Sequence, residues 1–183
     1  ASQRGRMLDA MARAVADKGY ASTTVRDVIG RARVSRETFY EQFANKEECF
    51  LAALDTAADA LLAAMAEALG EDAADPVASF ERSLAAYLDG LAKEPAYART
   101  FLIEAYAAGP ESLRRRFEVQ RRFVEATART LGARSADERF RCEAVVGAVS
   151  SLVTARVAAG EAAELPRLRR PVMRMVERLF FAR

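Results

Sequence analysis

From Lys46 to Leu69 the chain runs without Gly or Pro, and its apolar residues return every three or four positions: Phe50, Leu51, Leu54, Ala58, Leu61, Met65 and Leu69. A strand would alternate with period two. This spacing closes on one side only of a helix with 3.6 residues per turn. A stripe of that length must lie against other helices. Other alanine-rich stretches behave the same way, Gly and Pro number 9 and 5 in 183 residues, and no sheet or repeat signal competes. The expected fold class is all-α, with about nine helices and enough apolar residues (51%) to bury a core without staples.

The first helix spans residues 4–18, with Met7, Leu8, Met11, Ala14 and Val15 on one face, and Gly19 stops it. Thr23 or Thr24 caps a short second helix whose inner face is Val25, Val28, Ile29 and Ala32, with Asp27 in its first turn. Arg33-Val34 breaks that helix, Ser35 caps a third through Phe43, and Ala44-Asn45 separates it from a long fourth that opens at Lys46. Two short helices across so tight a turn form a helix-turn-helix pattern. The segment EDAADP marks the next break. Helices are expected over 77–92, from Pro95 to Gly109-Pro110, over 111–131 with an inward stripe of Leu113, Phe117, Gln120, Val124 and Leu131, over 137–159, and over about 167–181. The expected division is a helix-turn-helix domain at 1–46 and a larger helical domain at 47–183.

Several classes of chemistry are excluded. The chain has no histidine, which removes Ser-His-Asp and Cys-His catalysis and histidine metal sites. Cys49 and Cys142 lie far apart and outside any C-x-x-C pair, so no metal or cofactor is expected, and no disulfide in a chain that reads as cytoplasmic. No apolar run is expected to reach membrane-spanning length and no signal peptide is visible; a start without Met leaves room for native residues before Ala1. Charge is uneven. Residues 1–50 hold nine Lys/Arg against seven Asp/Glu, 51–110 three against ten, and 111–183 sixteen against nine. The weakly basic first segment is compatible with nucleic acid without demanding it.

The third helix, within VSRETFYEQF, carries two chemistries. Phe39 and Phe43 share a face one turn apart, while Glu37, Thr38 and Glu41 point the other way with Tyr40 at the edge. Ser35 and Arg36 stand at its amino-terminal end, and Arg31 and Arg33 lie just across the turn. Hydroxyls and guanidinium groups together match phosphates and base edges, although a solvated amphipathic surface helix would look similar.

GYASTTVRDVIGRARVSRETFYEQFANKEECF resembles the amino-terminal signature of the tetracycline-repressor-like (TetR) family of bacterial transcription regulators over about residues 5–55. The resemblance implies a DNA-binding regulator, a repressor released from its operator by a small-molecule effector, with the carboxy-terminal domain binding ligand and forming a homodimer. It puts Arg36, Thr38 and Tyr40 on DNA, Thr24 and Arg26 on the backbone, and Lys46 on a phosphate. Ser35 and Arg33 complete the expected contacts. Three positions depart from the family pattern. Arg33 stands where Gly is usual, at a cost on the order of 1 kcal/mol if the turn needs positive φ. Glu37 replaces a residue that is often Gly and repels phosphate unless it accepts from a cytosine amine. Gln42 stands where His is common.

One such helix reads few base pairs, so a two-fold pair on a pseudo-palindromic operator is the natural target. In the eighth helix Ala144, Ala148, Ser151, Ala155 and Ala158 repeat at four and three; in the ninth, Leu168, Val172, Met175 and Leu179 do the same. The expected dimer interface is Ala144, Ala148, Ser151, Ala155, Val172, Met175 and Leu179, with completion of the monomer core as the competing account. Candidate contacts to a hydrophobic or amphipathic effector are Phe80, Tyr87, Phe101, Glu104, Phe117 and Gln120. The plainer account has Gln120 bonded to a backbone carbonyl, Glu104 paired with an arginine and the aromatics in the core. A helical protein-interaction module without operator binding, and less readily a helical enzyme using Glu104 and Asp89, remain as alternatives.

Overall fold

The structure, a computed structural model, describes residues 2–70 and 75–181. Among the described residues nine α-helices follow in order: α1 (Gln3–Lys18), α2 (Val25–Ala32), α3 (Arg36–Gln42), α4 (Lys46–Glu67), α5 (Pro76–Lys93), α6 (Pro95–Leu102), α7 (Pro110–Leu131), α8 (Ala136–Ala158) and α9 (Arg169–Phe180). Two 3-10 segments, Glu104–Tyr106 and Ala162–Leu168, precede α7 and α9. No strand occurs among the described residues. Of the expected EDAADP break, residues 71–74 lie outside the described residues; Asp75 caps α5, its carboxylate accepting from the Val77 and Ala78 amides, with Pro76 in the first turn.

Side-chain caps fix several helix starts. Ser2 accepts from the Gly5 amide, and reciprocal capping boxes join Thr24 to Asp27 and Ser135 to Glu138. Two helix ends differ from the sequence expectation. α6 stops at Leu102 rather than at Gly109-Pro110, because the chain tightens into the 3-10 turn that follows. The Phe101 carbonyl freed there accepts from the buried Arg116 guanidinium at 3.3 Å. α9 starts at Arg169; Pro166 lies in the 3-10 segment, and Pro171 falls in the first turn of α9, where its missing N–H costs nothing.

The chain divides into two compact units, Ala1–Ala58 with Ala96–Phe117, and Asp59–Pro95 with Glu118–Arg183. The first is built on Met7, Leu8, Met11, Val15, Val28, Phe39, Phe43, Phe50, Leu54, Phe101 and Ala105, all buried in one cluster. Phe50 lies 5.8 Å from Phe101 and 4.9 Å from Tyr20, centroid to centroid. The second unit buries Phe80, Leu84 and Leu88 of α5, Cys142, Val145, Val149 and Val153 of α8, and Val172 and Val176 of α9. A Cβ on Gly90 of α5 would stand 2.9 Å from Leu61 Cδ1, so glycine there permits the close approach.

α4 is long and apolar enough, by length and composition, to cross a membrane, with mean hydropathy 1.6 over its most apolar window. This corrects the expectation that no run reaches that length. Its inner residues Cys49, Phe50, Ala53, Leu54 and Ala58 are nevertheless buried in protein, and its mid-helix carboxylates are ion-paired, Asp55 with Arg115 and Asp59 with Arg122.

Candidate nucleic-acid interface

α2 begins at Thr24, whose hydroxyl oxygen accepts from the Asp27 amide at 3.3 Å and whose own amide donates to Asp27 Oδ2 at 2.7 Å. The same carboxylate accepts from the Thr24 hydroxyl at 2.6 Å and pairs with the Lys18 ammonium at 2.7 Å. Lys18 first, then the Thr24 hydroxyl and amide, hold the Asp27 carboxyl well below the usual carboxylate range. Arg26, on the next turn of surface, is exposed.

α2 ends in a left-handed residue, Arg33, at φ 54° and ψ 52°. It is the one non-glycine residue with positive φ among those described. The Arg33 amide and the Val34 amide both donate to the Ile29 carbonyl, the latter at 3.2 Å, which closes the turn between the two short helices. The Arg33 side chain is exposed.

Ser35 then caps α3. Its Oγ accepts from the Thr38 amide at 3.0 Å and lies 3.0 Å from the Thr38 hydroxyl. Phe39 and Phe43 are buried with centroids 5.6 Å apart, and this anchors the helix. Tyr40 stands edge-on to Phe39 at 5.4 Å and keeps 45% of its surface exposed. The Arg36 guanidinium lies 5.5 Å from the Tyr40 ring centroid. Arg36, Glu37, Tyr40 and Glu41 are all exposed. Seven of the eight expected DNA contacts thus cluster on α2, α3 and the turn between them, within the first unit.

Lys46 has a different occupation from the phosphate contact that the resemblance implies. Its ammonium donates to the Tyr20 and Thr23 carbonyls at 2.9 and 3.0 Å and sits 4.1 Å from the Tyr20 ring centroid. Two of its three donors are used on the α1–α2 loop, and burial lowers its pKa. The other side of that loop is held by Glu104, which accepts from the Tyr20 amide at 3.1 Å. Arginines brace the same head: Arg6 Nε donates to the Ala32 carbonyl at 3.2 Å, Arg31 pairs with Asp17, and Arg4 lies 4.6 Å over the Phe43 ring. Sequence reasoning gave Arg4 and Arg6 no role and counted Arg31 toward DNA, because their partners here are an aromatic face, a backbone carbonyl and a distant carboxylate.

The six candidate effector contacts fall three in each unit: Phe101, Glu104 and Phe117 in the first, Phe80, Tyr87 and Gln120 in the second. Phe101 packs in the first unit's core at 5.8 Å from both Phe50 and Tyr97. Glu104 serves the Tyr20 amide and approaches Arg99 at 3.7 Å, as the plainer account expects. Phe117, expected on the inward stripe of α7, is 56% exposed, whereas Leu131 of that stripe is buried; the helix also buries Ser112, Arg116, Thr127 and Ala128, and Arg116 is stabilised by the Phe101 carbonyl and the Tyr106 ring at 4.9 Å. In the second unit Phe80 is buried, Tyr87 is half-buried and edge-on to Phe123 at 5.5 Å, and Gln120 is half-buried. A cleft of about 200 Å³ beside the α7–α8 loop is lined by Glu125, Ala128, Arg129, Gly132, Ala133, Arg134 and Arg139, none of them among the six.

On α8 one face is buried through Cys142, Val145, Val149, Val153 and Val157. The other presents Ala144, Ser151, Ala155 and Ala158 exposed, with Ala148 half-buried and Leu152 at 40% exposure. Phe140, four positions before Ala144, is 67% exposed and extends this stripe; its spacing was the signal that could have found it. On α9 Leu179 is 39% exposed and Met175 half-buried, whereas Val172 is buried inside its own unit.

Residues 7–53 match the family model described as bacterial regulatory proteins, tetR family. No curated protein matches the chain. Among solved structures, the fatty acid degradation regulator FadR from Bacillus halodurans is 20% identical, with 98% of this chain and 99% of that chain covered and a TM-score of 0.82. FadR from Bacillus subtilis, solved in complex with stearoyl-CoA, is 19% identical over 97% of each chain with a TM-score of 0.83. The TetR-family regulator PfmR from Thermus thermophilus is 21% identical over 100% of this chain and 98% of that one, with a TM-score of 0.73. These likenesses fix the fold. Through that amino-terminal domain the chain is similar to the tetR family of bacterial regulatory proteins, and over its whole length it shares the fold of TetR-family structures.

Proposed function

We propose that the chain is a cytoplasmic, non-enzymatic homodimeric repressor that binds a pseudo-palindromic operator and leaves it when a small amphipathic effector binds. Residues 1–46 read DNA, and 47–183 take the effector and the second subunit. The observation that carries this is the outward face of α3. It is anchored behind by Phe39 and Phe43 and flanked by the exposed Arg26, Arg33 and Arg36, with Thr24, Ser35, Thr38 and Tyr40 supplying hydroxyls. A helix so anchored, with cations on its rim, suits a major groove edged by phosphates. The exposed stripe of Phe140, Ala144, Ser151, Leu152 and Ala155, continued by Leu179, supports pairing through α8 and α9. For the effector class, the stearoyl-CoA held by the Bacillus subtilis neighbour favours an acyl compound with a polar head, and the Tyr87–Phe123 pair offers an apolar wall in the second unit.

Selection of bound duplexes from a random pool tests the core of this reading. A repressor of this kind returns a two-fold symmetric motif, loses affinity steeply as salt rises, and releases the motif when stearoyl-CoA is added. The acidic centre of the α3 face, Glu37 and Glu41, is the one observation that favours a protein-interaction module instead. Such a module returns no motif and no salt-dependent DNA binding.

A further inference from the structure

Glu37 lies almost diametrically opposite the buried side of α3. Taking roughly 100° per residue from the buried Phe39, Glu37 and Glu41 lie about 160° away on either side of the outer face, Tyr40 and Thr38 border them at about 100°, and Arg36 and Gln42 lie nearer the buried side at about 60°. Both carboxylates are exposed, and neither has a hydrogen bond or ion pair among the described residues. The nearest cation in sequence, Arg36, is directed to the Tyr40 ring instead. The residue at the middle of the reading face, on the helix's first turn, is therefore an unpaired acceptor of hydrogen bonds. This placement is what makes it informative, because the early residues of a reading helix are the ones that meet base edges.

Resting on the DNA-reading function proposed above, we infer that Glu37 is a specificity-determining residue that selects cytosine at one position of each operator half-site. An ionised carboxylate can only accept. In the major groove the donors are the cytosine N4 and adenine N6 amines, while guanine N7 and O6 and thymine O4 are acceptors that repel it. Adenine places its N7 acceptor beside the amine, against the second carboxylate oxygen. Cytosine places only its C5–H there, so cytosine is preferred. The same charge disfavours unspecific contact with phosphates, so Glu37 sharpens discrimination while lowering general affinity.

The test repeats the random-pool selection with the full chain and with Glu37→Ala and Glu37→Gln, both of which leave the buried Phe39 and Phe43 untouched; circular dichroism checks that helix content is unchanged. The expected result is a symmetric wild-type motif with cytosine at one position per half. Changing it to thymine weakens wild-type binding about 10- to 100-fold and leaves Glu37→Ala indifferent. Glu37→Gln moves the preference to adenine, whose N6 and N7 match an amide. A wild-type motif that both variants return unchanged, with all sequences bound more tightly by one common factor, overturns the inference and leaves Glu37 as a repelling charge. If wild type itself returns no motif, the DNA-reading function fails first and the inference with it.

Discussion

The carboxylate of Glu104 accepts a hydrogen bond from the backbone amide of Tyr20 at 3.1 Å, across 84 positions of sequence. From the opposite side, Lys46 donates to the carbonyls of Tyr20 and Thr23. The loop that aims α2 is therefore gripped by an anion on an N–H and a cation on two C=O groups. Removing the anion leaves the amide facing a gap that Gly19 cannot fill. Glu104→Ala should lower stability by about 1.5–3 kcal/mol, the usual worth of a hydrogen bond to a charged group in a half-buried site. Glu104→Gln keeps an acceptor oxygen and should lose less than half of that. Thermal unfolding of the three proteins checks the order; equal losses for both variants would show that the amide bond is not what matters.

Arg33 holds φ at 54° on the turn between the reading helices. An L side chain is strained there and glycine is not, although glycine also loosens the unfolded chain. Arg33→Gly should therefore stabilise the protein by about 1 kcal/mol, while Arg33→Ala, which keeps its Cβ, should gain nothing. A second readout is independent of the first. If the exposed guanidinium of Arg33 reaches a phosphate, both substitutions should reduce the salt dependence of operator affinity by about one unit of slope per subunit.

The reading head was largely legible in the sequence because its determinants are local. Gly19, Thr24 and Ser35 set helix ends by caps and turns, the strained turn at Arg33 followed from its place in the motif, and Phe39 with Phe43 fixed the buried side of α3. α7 was not legible in this way. Periodicity counts apolar residues and so turned Phe117 inward, whereas the helix buries Arg116 because a freed carbonyl at Phe101 and the ring of Tyr106 receive its guanidinium. Lys46 and Glu104 stood out as charged residues in suggestive places. Their partners are backbone groups of one loop, and a loop's unmet backbone hydrogen bonds leave no mark on composition or spacing.

Asp27 gives the head an acid limit. Lys18 and Thr24 hold its carboxyl below the usual range, so its folded pKa is depressed relative to about 3.9 in the unfolded chain. Its contribution is fully present above that unfolded value and is lost as pH falls through the folded one. The difference in melting temperature between wild type and Asp27→Asn should be constant from pH 7 to about 5 and shrink steadily below about 4. A difference that grows as the solution is acidified would contradict the Lys18–Asp27 pair as the stabilising contact.

The exposed stripe on α8 makes the sharpest demand on the proposed assembly. Ser151 and Ala155 are exposed in the protomer and one turn apart, so a glutamate at either meets only water in a single chain. In a pair of subunits packed through α8 and α9, the same glutamate is buried against an apolar surface without a partner charge, which costs several kcal/mol per subunit. Ser151→Glu and Ala155→Glu should therefore keep wild-type helix content, sediment as single chains where wild type sediments as two, and bind the operator on the order of 10³-fold more weakly, as a lone reading head does. The control is Arg170→Glu, on the exposed side of α9. Its charge change is larger, yet it should leave both sedimentation and operator affinity near wild type if Arg170 stays solvated in the dimer. Were the Ser151 and Ala155 variants to remain paired and fully active, the two subunits would have to meet through another surface, and the small residues along α8 would need a different explanation.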